Sequence, residues 1–283
     1  MTAKRTYTWK NGKKLVLGEK TLVMGILNVT PDSFSDGGKW NSVDKALRHM
    51  EQMVKDGADI IDIGAESSRP GFVTMPAEEE IARLEPFLEA VMRECPVPVS
   101  VDTFKAGTAA AAVFMGCDML NDIWGLQYAQ EPGEMAAVAS KADIPVVVMH
   151  NQDGKTYDGD IIASMQAFFR RSVEIADAAG VKRENIILDP GIGFGKTPAG
   201  NLTVLRRQQE LLILDGTEYP LLLGTSRKSF IGAALDLPVD KRMEATGATC
   251  VIGIMKGASI VRVHDVKPIA RMCRMTDAVL AAD

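Results

Sequence analysis

Three consecutive stretches decide how this chain folds: TLVMGILNV at residues 21–29, SVDKALRHMEQMVKD at 42–56 and ADIIDIG at 58–64. The first and third are short, nearly continuous apolar runs, which predicts strands buried on both faces. The stretch between them places Leu47, Met50 and Val54 on one helical face, with Ser42 expected as its N-cap. Strand, helix, strand is the unit of a parallel sheet, because a parallel neighbour is reached only through a crossover.

The same unit recurs along the chain. Strands are predicted at Thr21 to Val29, Ala58 to Gly64, Val97 to Thr103, Met119 to Trp124, Ile144 to His150, Asn185 to Pro190, Tyr219 to Thr225 and Ser259 to Asp265. Helices are predicted at Ser42 to Asp56, Pro76 to Cys95, Ile161 to Ala179, Leu202 to Leu212, Arg242 to Lys256 and Val266 to Ala281. Eight such units in one chain imply a closed (β/α)8 TIM barrel, with an open doubly wound sheet as the alternative. Asn11-Gly12 between alternating segments predicts a short β-hairpin preamble within residues 1–18. No linker or composition shift divides the chain, so a single domain over 1–283 is expected.

Composition narrows the function. The chain has 283 residues, 46% hydrophobic and 24% charged, which suits a soluble globular fold and excludes collagen, coiled coil and disorder. Against 37 acidic residues stand 32 Lys and Arg, so no global cationic field draws in nucleic acid or a membrane surface, and any anion must be held locally. The N-terminus lacks an apolar signal segment, and no apolar run approaches a membrane span. Four scattered cysteines, Cys95, Cys117, Cys250 and Cys273, without a CxxC pair, read as small buried residues of a reduced, cytoplasmic protein.

What ends each strand is the most informative feature. Asn28, Asp62, Asp102, Asn121, His150, Asp189, Lys228, Arg262 and His264 all fall at or just past the end of an apolar run, where such a barrel gathers its active site. Asp62 and Asp102 follow their runs directly and would be costly to bury unpaired. Arg262 and His264 lie two apart and so share a face. Converging with Asn28 they suit a phosphate or pyrophosphate, although an arginine paired with a neighbouring carboxylate merely to close the barrel reads equally well. With His49 read as surface, no third histidine joins His150 and His264, and a zinc site is not expected.

Three loops stand out. DPGIGFGKT at 189–197 fails as a P-loop because Pro190 stands where glycine is needed, and fails as a dinucleotide fingerprint because Lys196 does. What remains is a tight loop whose backbone approaches a flat ligand, with Phe194 as a wall. The loops at 28–38 and 64–71 have the composition of substrate-covering segments or of ordinary connections. Ser226-Arg227-Lys228-Ser229 opens a helix whose free N–H groups suit an anion.

In order along the chain come MGILNVTPDSFSDGG (24–38), DIGAESSRPG (62–71), VDT (101–103), ND (121–122), DPGIGFGK (189–196), SRKS (226–229) and RVHD (262–265). Together they resemble the dihydropteroate synthase family of the folate pathway, over nearly the whole chain. The resemblance implies a barrel enzyme that joins 6-hydroxymethyl-7,8-dihydropterin pyrophosphate to p-aminobenzoate, releasing pyrophosphate, with Mg2+ and as a homodimer. It implies that Asp102, Asn121, Asp189 and Lys228 hydrogen-bond the pterin, that Arg262 stacks on it and that Ile123 and Met149 are apolar walls. Asn28 would hold Mg2+, while Ser68, Arg69, Arg262 and His264 join it around the pyrophosphate. Phe34, Pro70, Phe194 and Ser229 would form the p-aminobenzoate pocket, where sulfonamides compete in such enzymes. Asp102, Lys228, Arg262 and His264 would carry the catalysis. Ser68 stands where many members have Thr, and Trp124 where many have a small hydroxyl residue.

The chemistry expected is displacement of pyrophosphate from a methylene on an electron-rich ring, by a dissociative route in which Asp102 stabilises a pterin cation. An arylamine needs no strong general base. The competing readings are a pterin-dependent methyltransferase barrel, which needs no aminobenzoate pocket, and a catalytically silent pterin-binding barrel. A fused bifunctional folate enzyme is disfavoured, because no residues remain for a second catalytic domain.

Overall fold

The computed structural model describes residues 4–30, 38–66 and 74–282, with backbone alone for 38–41. Eight parallel strands close into a barrel: β3 (Leu22–Asn28), β4 (Ile60–Gly64), β5 (Val99–Asp102), β6 (Met119–Asp122), β7 (Val146–Met149), β8 (Ile186–Asp189), β11 (Leu221–Leu223) and β12 (Ala258–Val263). Closure is made where β11 joins β8 on one side and β12 on the other, and β12 then pairs with β3. Seven of the strands lie within a predicted run and β12 begins one residue before its own, at Ala258 rather than Ser259, and the closed barrel replaces the open-sheet alternative.

Around the barrel run α1 (Gly38–Asp56), α2 (Ala77–Glu94), α3 (Ala106–Phe114), α4 (Glu134–Ala142), α5 (Ile161–Ala179), α6 (Pro198–Arg207), α7 (Ser229–Leu235), α8 (Met243–Met255) and α9 (Val266–Leu280). Two expectations are corrected. Helix α1 begins at Gly38, so Ser42 sits inside it rather than capping it. Helix α6 begins at Pro198 rather than Leu202, because the Thr197 hydroxyl accepts from Gly200 N at 3.0 Å and proline suits a first helical turn. Helices α3 and α4 were not anticipated: nine residues each, rich in alanine, they carry no polar-apolar period to read.

Alternation along the strands sorts two cores. Val23, Ile61, Val101 and Val261 face outward against the helices. Met24, Ile60, Met119, Val147, Ile187, Leu222 and Ile260, with the buried Ser100, fill the barrel interior as a staggered, mainly apolar layer. Beneath that layer packs the predicted hairpin, β1 (Arg5–Thr8) with β2 (Lys14–Leu17), which adds Tyr7, Leu15 and Leu17 to the interior cluster. It is bolted to the N-terminal ends of the strands: Trp9 Nε1 donates to Asp118 O at 2.8 Å, Lys13 pairs with Asp118 at 3.0 Å and Tyr7 OH donates to Glu184 O at 2.6 Å. A second small hairpin, β9 (Ile213–Leu214) with β10 (Thr217–Glu218), precedes β11. Among the described residues no helix is long and apolar enough to cross a membrane.

Candidate active site

The side chains two residues beyond the apolar interior layer face the same way one storey higher, at the carboxyl ends of the strands. Asp62 follows Ile60, Asn121 follows Met119, Met149 follows Val147, Asp189 follows Ile187 and Arg262 follows Ile260. A polar layer therefore rests on a dry floor. Arg262 spans its centre, donating from Nε to Asp62 Oδ2 and from a terminal nitrogen to Asp102 Oδ2, both at 2.6 Å. Asn121 donates to the same Asp62 oxygen at 3.1 Å. Asp62 is wholly buried, and its Oδ1 has no hydrogen-bond partner among the described residues. The pairing foreseen as barrel closure exists, yet it joins two carboxylates and leaves the guanidinium side chain 18% exposed to the mouth.

The electrostatics follow from this crowding. Burial pushes the Asp102 carboxyl up to about 7, opposed by Arg262 and reinforced by Asp62. Burial works against the Arg262 charge, but the two carboxylates hold its pKa above the ordinary arginine value. Asp189 is likewise raised by burial, against the pull of Lys228 and a 2.7 Å hydrogen bond from Gly191 N. Lys228 is lowered by burial to about 8. Two carboxyls and a lysine are thus tuned toward neutrality, as at sites that handle protons and charge.

Lys228 donates from Nζ to Ile192 O and lies 4.7 Å from the centroid of the Phe194 ring, joining the glycine-rich loop to the turn after β11. That turn is braced. Arg227 adopts a left-handed φ of 56° and pairs with Asp265, while the Arg242 guanidinium donates to the carbonyls of Arg227 and Leu237. Ser229 opens α7 as predicted. His264 continues from β12 over the rim, its Nδ1 at 2.9 Å from Ser226 Oγ. Ile123 and Met149 pack with Phe104 into an apolar wall that Trp124, Tyr128 and Phe194 extend. Asn28 ends β3, half-buried.

His150 departs from the group. It follows Met149, so its ring points to the helix side of the sheet, 4.8 Å from the Phe168 ring and 6.1 Å from that of Tyr157. Phe34, Ser68, Arg69 and Pro70 lie outside the described residues. Three features escaped the sequence reading: the double pairing of Asp62, the buried Lys196, and a buried triad in which Lys105 meets Glu66 at 2.5 Å and Glu80 at 2.9 Å. Apolar runs around Asp62 marked its burial, but nothing local marks a partner 200 residues away.

Among the described residues no group of three or more His, Cys, Asp or Glu could cage a metal ion. Asn28, at the end of β3, offers one amide oxygen, which suits a hard cation that keeps its waters and shares phosphate oxygens, as Mg2+ commonly does.

The signature of the family described as "Pterin binding enzyme" matches residues 24–264, from the first barrel strand to the rim histidine. The chain belongs to the dihydropteroate synthase family of pterin-binding enzymes. It is 55% identical over 262 residues to the dihydropteroate synthase of Bacillus subtilis, covering 93% of this chain and 90% of that one. The Clostridium difficile dihydropteroate synthase solved in the presence of pteroic acid superposes with a TM-score of 0.89 at 50% identity, over 94% of this chain and 99% of that one. The Xanthomonas albilineans dihydropteroate synthase solved with 4-aminobenzoic acid superposes at 0.90 and 35% identity, over the whole of both chains. The chain is an enzyme with dihydropteroate synthase activity, which displaces the methyltransferase and silent-barrel alternatives.

Proposed function

We propose that this dihydropteroate synthase seats 6-hydroxymethyl-7,8-dihydropterin pyrophosphate on the polar layer at the top of the barrel and receives p-aminobenzoate above it. The observation that carries the reading is Arg262 bridging Asp62 and Asp102 directly over a sealed apolar floor. A pterin edge presents an amino group and ring N–H groups beside a carbonyl, and the buried Asp189 and Asn121 with the half-buried Lys228 offer the complementary acceptors and donors. Asp102 adds a carboxylate, Ile123 and Met149 an apolar wall, and Arg262 a flat cation over the ring.

Arg262 and His264 neutralise the departing pyrophosphate with Asn28, Ser68 and Arg69, so that bond breaking runs ahead of bond making. Asn28 would hold Mg2+, which when bound offsets charge on the pyrophosphate oxygens. The negative Asp102 stabilises the electron-poor methylene as the leaving group departs. The arylamine attacks with its own lone pair, Phe34, Pro70 and Phe194 shaping its pocket and Ser229 taking its carboxylate. Sulfonamides would compete for that pocket.

The chain works as one catalytic domain, and its reduced, buried thiols suit the cytoplasm. As a homodimer it would use the apolar residues that α8 and α9 leave exposed, Ile252, Met255, Met275 and Val279. The test is pyrophosphate release by the purified protein, with either substrate omitted and with Mg2+ chelated. Turnover that needs both substrates and the metal supports the reading, and pterin binding without pyrophosphate release overturns it.

A further inference from the structure

The glycine-rich loop holds a second lysine that the proposed chemistry does not use. Lys196 is 3% exposed, and its Nζ lies 2.9 Å from His150 Nδ1, 3.0 Å from Gly191 O and 3.0 Å from Phe194 O. An ammonium carries three N–H donors, and here it meets three acceptors. His150 supplies one of them because burial, and then the neighbouring ammonium, keep its ring neutral, and the tautomer with its proton on Nε2 leaves Nδ1 free to accept. Burial lowers Lys196 itself to about 7, against the pull of Asp189.

The surroundings show what this contact does. Gly191, Gly193 and Gly195 have φ of 63°, 89° and 53°, so the loop is built from residues with little conformational preference of their own. Its shape must be imposed by contacts. Tyr157 OH donates to Gly195 O at 2.8 Å, Asn201 Oδ1 accepts from Gly193 N at 2.6 Å and Phe194 N closes a turn onto Gly191 O at 3.0 Å. Lys196 grips both ends of that turn, the carbonyls of Gly191 and Phe194. Lys228 takes the carbonyl between them, that of Ile192. His150 is not a loose anchor, since its ring packs between aromatic neighbours and its own N–H donates to Asp189 O at 2.9 Å. Strand β8, the loop and the end of β7 are thereby tied at one ammonium.

We propose that Lys196, seated on His150, is a positioning residue for the synthase reaction: it sets the Gly191 to Phe194 turn so that the Phe194 ring stands as the wall against which the arylamine must lie. The proposal rests on the reading that Phe194 walls the p-aminobenzoate pocket. Lys196 acts through Phe194 and touches neither substrate.

The experiment is a double-mutant cycle on the full-length enzyme with F194A, Lys196→Met and the double variant, measuring kcat and both KM values. Lys196→Met keeps the length of the side chain and removes its donors. The expected result is a KM for p-aminobenzoate raised about tenfold, with the KM for the pterin pyrophosphate changed less than about twofold. In the F194A background the same substitution should add less than about twofold, because the residue it positions is gone. Equal effects in both backgrounds, a parallel rise in both KM values, or no effect at all would overturn the proposal. Should F194A itself leave the p-aminobenzoate KM unchanged, the placement of that pocket fails instead, and the two failures are separate. If Lys196→Met does not yield folded protein, His150→Phe decides by the same two readouts, because it keeps an aromatic ring and removes only the acceptor.

Discussion

One guanidinium between two buried carboxylates concentrates the chemistry of this site. Asp102 is raised from 3.8 to about 7, first by burial, so its ionised fraction grows as pH rises through that value. If its negative charge is what the electron-poor methylene needs, kcat/KM for the pterin pyrophosphate climbs on an acid limb near pH 7. D102N should lose that limb along with most of the rate, and a limb that survives in D102N would refute the role. Linkage fixes the sign for stability: between about 4 and about 7 the folded state holds the Asp102 proton more tightly than the unfolded chain, so this group's contribution fades as pH rises through the window. Asp62 does different work, pairing Arg262 and accepting from Asn121 with no solvent to replace either. Removing one partner of a buried ion pair costs about 3–5 kcal/mol, so Asp62→Ala should lower the urea midpoint sharply as well as the affinity for pterin.

At the scale of elements, the two ends of the barrel answer to different tests. Leu17 is fully buried in the foot of the barrel and far in the fold from the polar layer, so Leu17→Ala should cost about 2–5 kcal/mol while leaving both KM values unchanged. At the other end, a methyl group on Gly191 would lie 1.9 Å from the carbonyl oxygen of His150. Gly191→Ala should therefore distort the loop and raise the p-aminobenzoate KM, which steady-state kinetics on the purified variant would read. These contrasts also show what a single sequence makes legible. Strands buried on both faces announce themselves as unbroken apolar runs, and where the polar residue that breaks a run falls on the inward face, as His150 does not, alternation alone carries it to the rim. Asp102, Asn121, Asp189 and Arg262 could be picked out for that reason. Short alanine-rich helices such as α3 carry no such contrast. Neither do contacts made by closure of the barrel: Arg262 finds Asp62 and Asp102, and Lys196 finds His150, only once distant strands become neighbours.

For the whole molecule, Met255, Met275 and Val279 are each at least 60% exposed on α8 and α9. Met275→Glu should shift sedimentation toward the monomer, with secondary structure intact, if two copies meet there. The hairpin at the foot of the barrel has another consequence. It underlies a packed interior that already makes the barrel a cul-de-sac with one doorway. On the proposed placement, a pterin seated on the floor would have the second substrate lying across its exit, and pyrophosphate would leave by the same opening through which both guests arrived. Traffic is then a queue: the deeper guest enters first, the shallower one follows, and the joined product must clear the doorway before either place can be filled again. Dihydropteroate should accordingly inhibit competitively against the pterin pyrophosphate, the first to enter the empty enzyme. The packed interior that the small two-stranded foot supports, touching no substrate, would set the order of events at the far end of the barrel.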